Sequence, residues 1–162
     1  MEKEARMRIT QEFDQLTDDP DFNDYFGVSF WDSDSENPDI YHWKVTLTPP
    51  KGTLYEGGFY KLEVVFNKDY PASPPKMKFL TRIYHCNIGP NNGEICLNTL
   101  KPNCWKKNLK IADVLNHIVV LLHNQNPNSP MHDGGYEYIS NRDAFEKKAK
   151  DWVKTYANIN DF

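Results

Sequence analysis

The residues best suited to chemistry crowd into one stretch of the chain: His85, Cys86, Cys96 and Cys104, set among Asn87, Gly89, Pro90, Gly93 and Pro102. A thiolate is both a nucleophile and a metal ligand, so this set offers acyl transfer or zinc binding. Structural zinc takes closely paired C-x2–4-C ligands, whereas nine and then seven residues separate successive cysteines here, and no metal site is expected. A papain-like protease fits no better, because no cysteine opens a long helix with a His/Asn pair placed after it. By residue type alone, each cysteine reads as a small buried hydrophobe. Asp32, Asp34 and Glu36 suggest a calcium loop, but Asn37 and Trp43 stand where that loop needs Gly and Glu, so a solvated turn is expected.

These residues must be positioned by elements on either side. Ala5, Ile9, Phe13 and Leu16 recur at helical spacing, with Arg6 and Arg8 near the exposed start and Pro20 expected to close the segment. Trp43, Val45 and Leu47 alternate with polar residues, as do Tyr60, Leu62, Val64 and Phe66, and both runs predict strands. A weaker strand is expected around Val28–Trp31, and a short one begins at Met77 and Phe79, after Tyr70–Pro75 read as a rigid extended connector. Residues 81–108 have no period, and a long irregular segment inside a compact domain is more often functional than idle. Ile111, Val114, Leu115, Ile118, Val119 and Leu122 predict a strong helix, stopped by Asn126–Pro130. Phe145, Ala149, Trp152, Val153 and Tyr156 predict a C-terminal helix with Ser140 or Asn141 as its N-cap. Neighbouring strands with short connections favour an antiparallel meander and an α+β fold.

The chain has 162 residues, so a single domain over 1–162 is expected, with a sizeable core. Apolar residues make up 39% and aromatics 14%, which excludes a disordered chain. A net charge of −4 gives no bulk drive toward nucleic acid or anionic lipid, and neither is expected as a partner. No run approaches the length of a membrane span and the start carries no apolar leader. With an odd number of cysteines, the expected setting is a reducing cytosol or nucleus.

Context changes the reading of one cysteine. Tyr84-His85-Cys86-Asn87, then Asn92-Gly93-Glu94-Ile95-Cys96-Leu97-Asn98, then Trp105, resembles the active-site stretch of ubiquitin-conjugating enzymes. Tyr55-Glu56-Gly57-Gly58, Tyr70–Lys76, Thr81-Arg82-Ile83-Tyr84, the Asn126-Pro127…Pro130 turn and Phe145…Trp152…Tyr156 extend the likeness over about residues 5–157. Several separate motifs in the right order make it specific.

The resemblance implies an N-terminal helix, a four-stranded antiparallel meander, an irregular active-site segment, a central helix and C-terminal helices. It implies that Cys96 takes ubiquitin, or a ubiquitin-like modifier, from an activating enzyme as a thioester. The acyl group then passes to a protein lysine or to a ligase cysteine, with no cofactor. Asn87 is implied either as an oxyanion donor or as a brace for its own loop, and His85 as a loop tie. Tyr84, Gly93, Leu97, Asn98 and Asn126 support the site, and Gly93 is either a presenter of the thiol or an ordinary turn glycine. Ser129 falls where many members carry Asp near the thioester, and is implied as an orienting, regulatory or plain turn residue. Arg6, Arg8, Ala72, Lys107 and Asn108 fall on the surface for activating enzyme and ligase. A monomer is expected.

The departures bear on pathway. Cys86 replaces the usual Pro, and Asn98 replaces the Asp common in ubiquitin-specific members; Cys-Leu-Asn also occurs in relatives that handle Nedd8. Ala72 stands where the ligase surface usually has an aromatic, and Lys106-Lys107-Asn108 where it has Ser-Pro-Ala. A non-catalytic scaffold variant is the remaining alternative, disfavoured by Cys96.

Overall fold

The structure is a computed structural model that describes residues 1–161; Phe162 lies outside the described residues. Its elements run α1 (Glu2–Asp18), α2 (Pro20–Asn23), β1 (Phe26–Phe30), β2 (His42–Leu47), β3 (Tyr60–Val65), β4 (Lys76–Phe79), α3 (Ile111–His123), α4 (Gly134–Ser140) and α5 (Arg142–Tyr156). The four strands form one antiparallel meander in the order β1-β2-β3-β4.

Strand alternation fixes which face is buried. Register pairs Val28 with Val45, Val45 with Leu62 and Leu62 with Phe79, an apolar row across the whole sheet. Trp43, Leu47, Tyr60 and Val64 are buried with that row, while Lys44, Thr46, Glu63 and Lys78 alternate on the opposite face. The central helix α3 buries Ile111, Val114, Leu115, Ile118 and Leu122 in the same core, and α5 adds Phe145 and Ala149.

Several boundaries differ from expectation for identifiable reasons. Pro20 does not close a helix but opens α2, sitting at its first position, where the missing N–H costs nothing. The Asp19 carboxylate caps α2, accepting from the N–H groups of Asp21 and Phe22. The first strand is Phe26–Phe30 rather than Val28–Trp31; Trp31 turns onto the His42 ring, 4.3 Å away and nearly parallel. Asn141, not Ser140, caps α5, because Ser140 is the last residue of α4. Residues 70–75 are not extended: Tyr70 and Ala72 donate back to Asn67 and Asp69 in a tight turn containing a cis Tyr70–Pro71 bond.

The buried stripe of α1 is Ala5, Ile9, Glu12 and Leu16, so a carboxylate occupies a core position and Phe13 sits at its edge. Glu12 is fully used there. Its Oε1 accepts from the Ile111 N–H at the start of α3 (2.7 Å), and its Oε2 accepts from the Tyr70 hydroxyl (2.6 Å) and Arg8 Nε (2.8 Å). One carboxylate therefore ties α1, the 67–73 turn and the N-terminus of α3, where its charge also suits the helix dipole.

Candidate active site

The site is a short strap, residues 84–87, held between the 121–132 segment and the loop that carries Cys96. The strap is too irregular to pair its own carbonyls, so each of them takes an outside partner. Tyr84 O accepts from the buried Tyr55 hydroxyl (2.6 Å), and His85 O accepts from His132 Nε2 (2.6 Å). Cys86 N–H donates to Gln125 Oε1 (2.8 Å), and Cys86 O accepts from Met131 N–H (2.8 Å). Asn87 O accepts from the Cys96 N–H (2.8 Å), which sets the thiol-bearing residue directly against the strap.

The His85 ring is wholly buried and uses both nitrogens. A carbonyl can only accept, so Nε2 donates to Leu121 O (2.8 Å), and Nδ1 accepts from the Asn87 N–H (3.0 Å). Burial pushes its pKa down to about 4, so the ring is neutral at physiological pH and serves as a tie.

The Asn87 amide is equally committed. Its Nδ2 donates to Asn126 O (2.7 Å) and Ser129 O (2.9 Å), while Oδ1 accepts from Asn126 N–H (2.8 Å). Both N–H groups are thus spent on the 126–129 turn, the bracing arrangement, and an oxyanion contact would require one of them to be released. Asn126 and Ser129 meet the site through their backbones; the Ser129 side chain is exposed. Tyr84 is buried, its hydroxyl donating to Glu137 (2.9 Å), and burial together with that carboxylate raises the phenol pKa.

The three cysteines separate by environment. Cys86 is 0% exposed and burial pushes its thiol up to about 11, which suppresses the thiolate. Cys104 is exposed in the turn after the short helical turn Asn98–Leu100. Cys96 is half-buried and is the one bonded to the strap. Gly93 is more than a turn glycine: its φ is +71°, and an added Cβ would drive into the Phe79 carbonyl of β4. Its own carbonyl accepts from Phe79 N–H (2.9 Å), so the loop leading to Cys96 lies flush on the sheet edge. Leu97 is half-buried just before that helical turn, and Asn98 is exposed at its first position.

The second group of expected residues gathers elsewhere, where the start of α1 meets the 69–73 and 105–109 loops. Ala72, Lys107 and Asn108 are exposed there, whereas Arg6 is exposed on α1 with its guanidinium over the Tyr41 ring, 6.0 Å from the centroid. Arg8 is partly buried, and its guanidinium donates to Lys107 O (3.0 Å) and Leu109 O (2.8 Å) as well as to Glu12. It clamps the loop that presents Lys107. Trp105 Nε1 donates to Pro71 O (2.7 Å) and holds the two loops together. Among the described residues, no group of His, Cys, Asp or Glu side chains is arranged to hold a metal.

A strap braced by an Asn and a His, a glycine turn and a half-exposed cysteine on one antiparallel sheet now find their counterpart. The sequence model described as ubiquitin-conjugating enzyme matches residues 8–153. This chain belongs to the ubiquitin-conjugating enzyme family. It is 37% identical over 151 residues to ubiquitin-conjugating enzyme E2 13 of Saccharomyces cerevisiae, covering 93% of both chains. It is 37% identical over 153 residues to ubiquitin-conjugating enzyme E2 S of Nematostella vectensis, covering 94% of this chain and 71% of that one. Among solved structures it is similar to the E2 domain of a Toxoplasma gondii ubiquitin conjugating enzyme, with a TM-score of 0.82, 33% identity, and 94% and 98% of the two chains covered. Family membership brings a transferase role in ubiquitin conjugation and, in general terms, work alongside ubiquitin, activating enzyme and ligases.

Residues with no motif signal complete the site. Gln125, His132 and Glu137 are drawn in by the strap's backbone and by Tyr84, and Glu12 supports the 69–73 and 105–109 loops. A Glu at a core position of an amphipathic stripe is the one signal that was open to inspection.

Proposed function

We propose that the protein carries ubiquitin as a thioester on Cys96 and transfers it to a protein lysine. The Cys96 thiolate attacks the thioester of the activating enzyme, forming a new carbon–sulfur bond as the activating enzyme's thiolate leaves. A lysine amine then attacks the carbonyl, the Cys96 thiolate departs, and the proton lost from nitrogen passes to solvent. The observation that carries this reading is that Cys96 alone of the three cysteines is both reachable and tied by its N–H to the strap. The first step exchanges one thioester for another and needs neither metal nor cofactor. In the second, Asn87 works by holding the 126–129 turn where the lysine must enter, since a misplacement of about 1 Å can cost on the order of 10²-fold.

Arg6, Ala72, Lys107 and Asn108 form the face for activating enzyme and ligase, on a platform fixed by Arg8, Glu12 and Trp105. The protein works as a monomer in cytosol or nucleus, without nucleic acid or membrane. Exposed Asn98, where a carboxylate is usual in ubiquitin-specific members, supports a second reading in which the modifier is Nedd8. Incubation with ATP, ubiquitin or Nedd8, and the matching activating enzyme, followed by a non-reducing gel, tests both. A reductant-sensitive adduct with ubiquitin supports the first reading, an adduct with Nedd8 alone supports the second, and none with either removes the acyl-carrier role.

A further inference from the structure

Cys86 contributes something besides its buried thiol: a backbone N–H, which proline at the same position would lack. That N–H points at Gln125. Because it can only donate, the nearer atom of the Gln125 amide must be Oε1, 2.8 Å away. The amide orientation is thereby fixed, and Nε2 donates to the Tyr55 hydroxyl at 2.9 Å. The hydroxyl has then one hydrogen to give, and it goes to Tyr84 O at 2.6 Å. Tyr55 is fully buried and burial raises its pKa, so it stays protonated and able to donate. The result is a directional relay that grips the strap at two successive peptide groups.

One residue further along, Asn87 braces the 126–129 turn and accepts from the Cys96 N–H. Any slack at Cys86 is therefore passed to the thiol on one side and to the lysine's entry on the other. We infer that Gln125 is a positioning residue for acyl transfer, acting through the Cys86 N–H to hold the strap that sets Asn87 and Cys96. The inference rests on Cys96 being the acyl carrier.

Gln125→Leu fills the same space with no polar atom and leaves the Cys86 N–H unpaired. Discharge onto free lysine slows by about tenfold, more than charging by the activating enzyme does, because thioester exchange asks less of the strap. Cys86→Pro removes the N–H itself, so the double variant Cys86→Pro/Gln125→Leu leaves no unpaired donor on the strap at that position and recovers most of the lost discharge rate, although the Tyr55 hydroxyl still lacks its donor. A residue that merely packed would show no such rescue. In the uncharged protein, amide exchange at Cys86 accelerates in Gln125→Leu, a readout independent of chemistry and of whether the proline variant folds. The inference is overturned if Gln125→Leu discharges at the parent rate, if the double variant is as slow as Gln125→Leu alone, or if exchange at Cys86 is unchanged. An unmodified protein that forms no adduct at Cys96 overturns the acyl-carrier reading together with this one; a normal adduct with an unaffected Gln125→Leu overturns only this one.

Discussion

Between Tyr84 and Asn87 the backbone carbonyls, the His85 ring and the Asn87 amide all have partners inside the protein. Around the 69–73 and 105–109 loops the ties lie underneath, through the Tyr70 hydroxyl, the Trp105 indole and several backbone carbonyls. Arg8, Glu12 and Trp105 fix where the loops run, and Ala72, Lys107 and Asn108 stand exposed on top. Under the proposed function, the difference follows from what each region must hold constant. A reacting geometry tolerates little displacement, so its groups are locked by neighbours that would be left unpaired by any change. A docking surface needs a fixed platform but variable side chains, and these can be exchanged without disturbing what lies beneath.

Substitutions can break that contrast, and the largest stability effect is expected at Gly93. Gly93→Ala forces a Cβ into the Phe79 carbonyl at a positive φ, and should cost about 2–4 kcal/mol in urea unfolding. A loss below 1 kcal/mol would show that the loop to Cys96 is not pressed on β4. Asn87→Ala comes next. It should still charge but discharge about 10²-fold more slowly, with amide exchange at Asn126 accelerated because that N–H loses its acceptor. The same kinetic loss with unchanged exchange at Asn126 would give Asn87 an oxyanion role instead.

A pH experiment probes the strap without mutation. In the unfolded chain His85 binds a proton near its ordinary pKa of about 6.5. In the folded protein it resists until about pH 4. As pH falls through that window the unfolded state gains the proton first, so stability declines: His85 contributes a loss of about 2 kcal/mol between pH 7 and pH 5. Nuclear magnetic resonance should find the ring neutral and protonated on Nε2 at pH 6, and a titration midpoint above 6 would contradict its burial. On the docking side the effect is smaller. Ala72→Phe with Lys107→Pro should raise ligase-stimulated discharge by about threefold or more with a generalist RING ligase, through an added apolar anchor. An unmodified protein that already responds as strongly would show that these positions do not decide docking.

The meander and α3 were legible because alternation and helical spacing are written in consecutive side chains: Trp43, Val45 and Leu47, or Ile111, Val114, Leu115 and Ile118. The short helices were not. Gly134-Gly135 is a poor helix start, and Pro20 carries the same local signal whether it ends one helix or begins another. Cys96 and Asn87 could be singled out from their motif context, yet nothing local marks Gln125 or His132. Their roles arise from unpaired backbone groups some forty residues away, a need that exists only once the strap is folded against them. Arg8 shows the same limit: an arginine near a helix start carries no local sign of the two carbonyls across the molecule that accept from it.

Under the proposed function the acyl group resides on Cys96, because the loop tied to the strap presents that thiol and leaves Cys86 buried. The most direct test is intact mass measurement after charging, on Cys86→Ser/Cys104→Ser, which keeps only Cys96, and on Cys96→Ala, which keeps the other two. The first should gain one modifier less one water, released by reductant, and the second should gain nothing. A reductant-sensitive adduct on Cys96→Ala, or none on the protein that retains Cys96 alone, would contradict it.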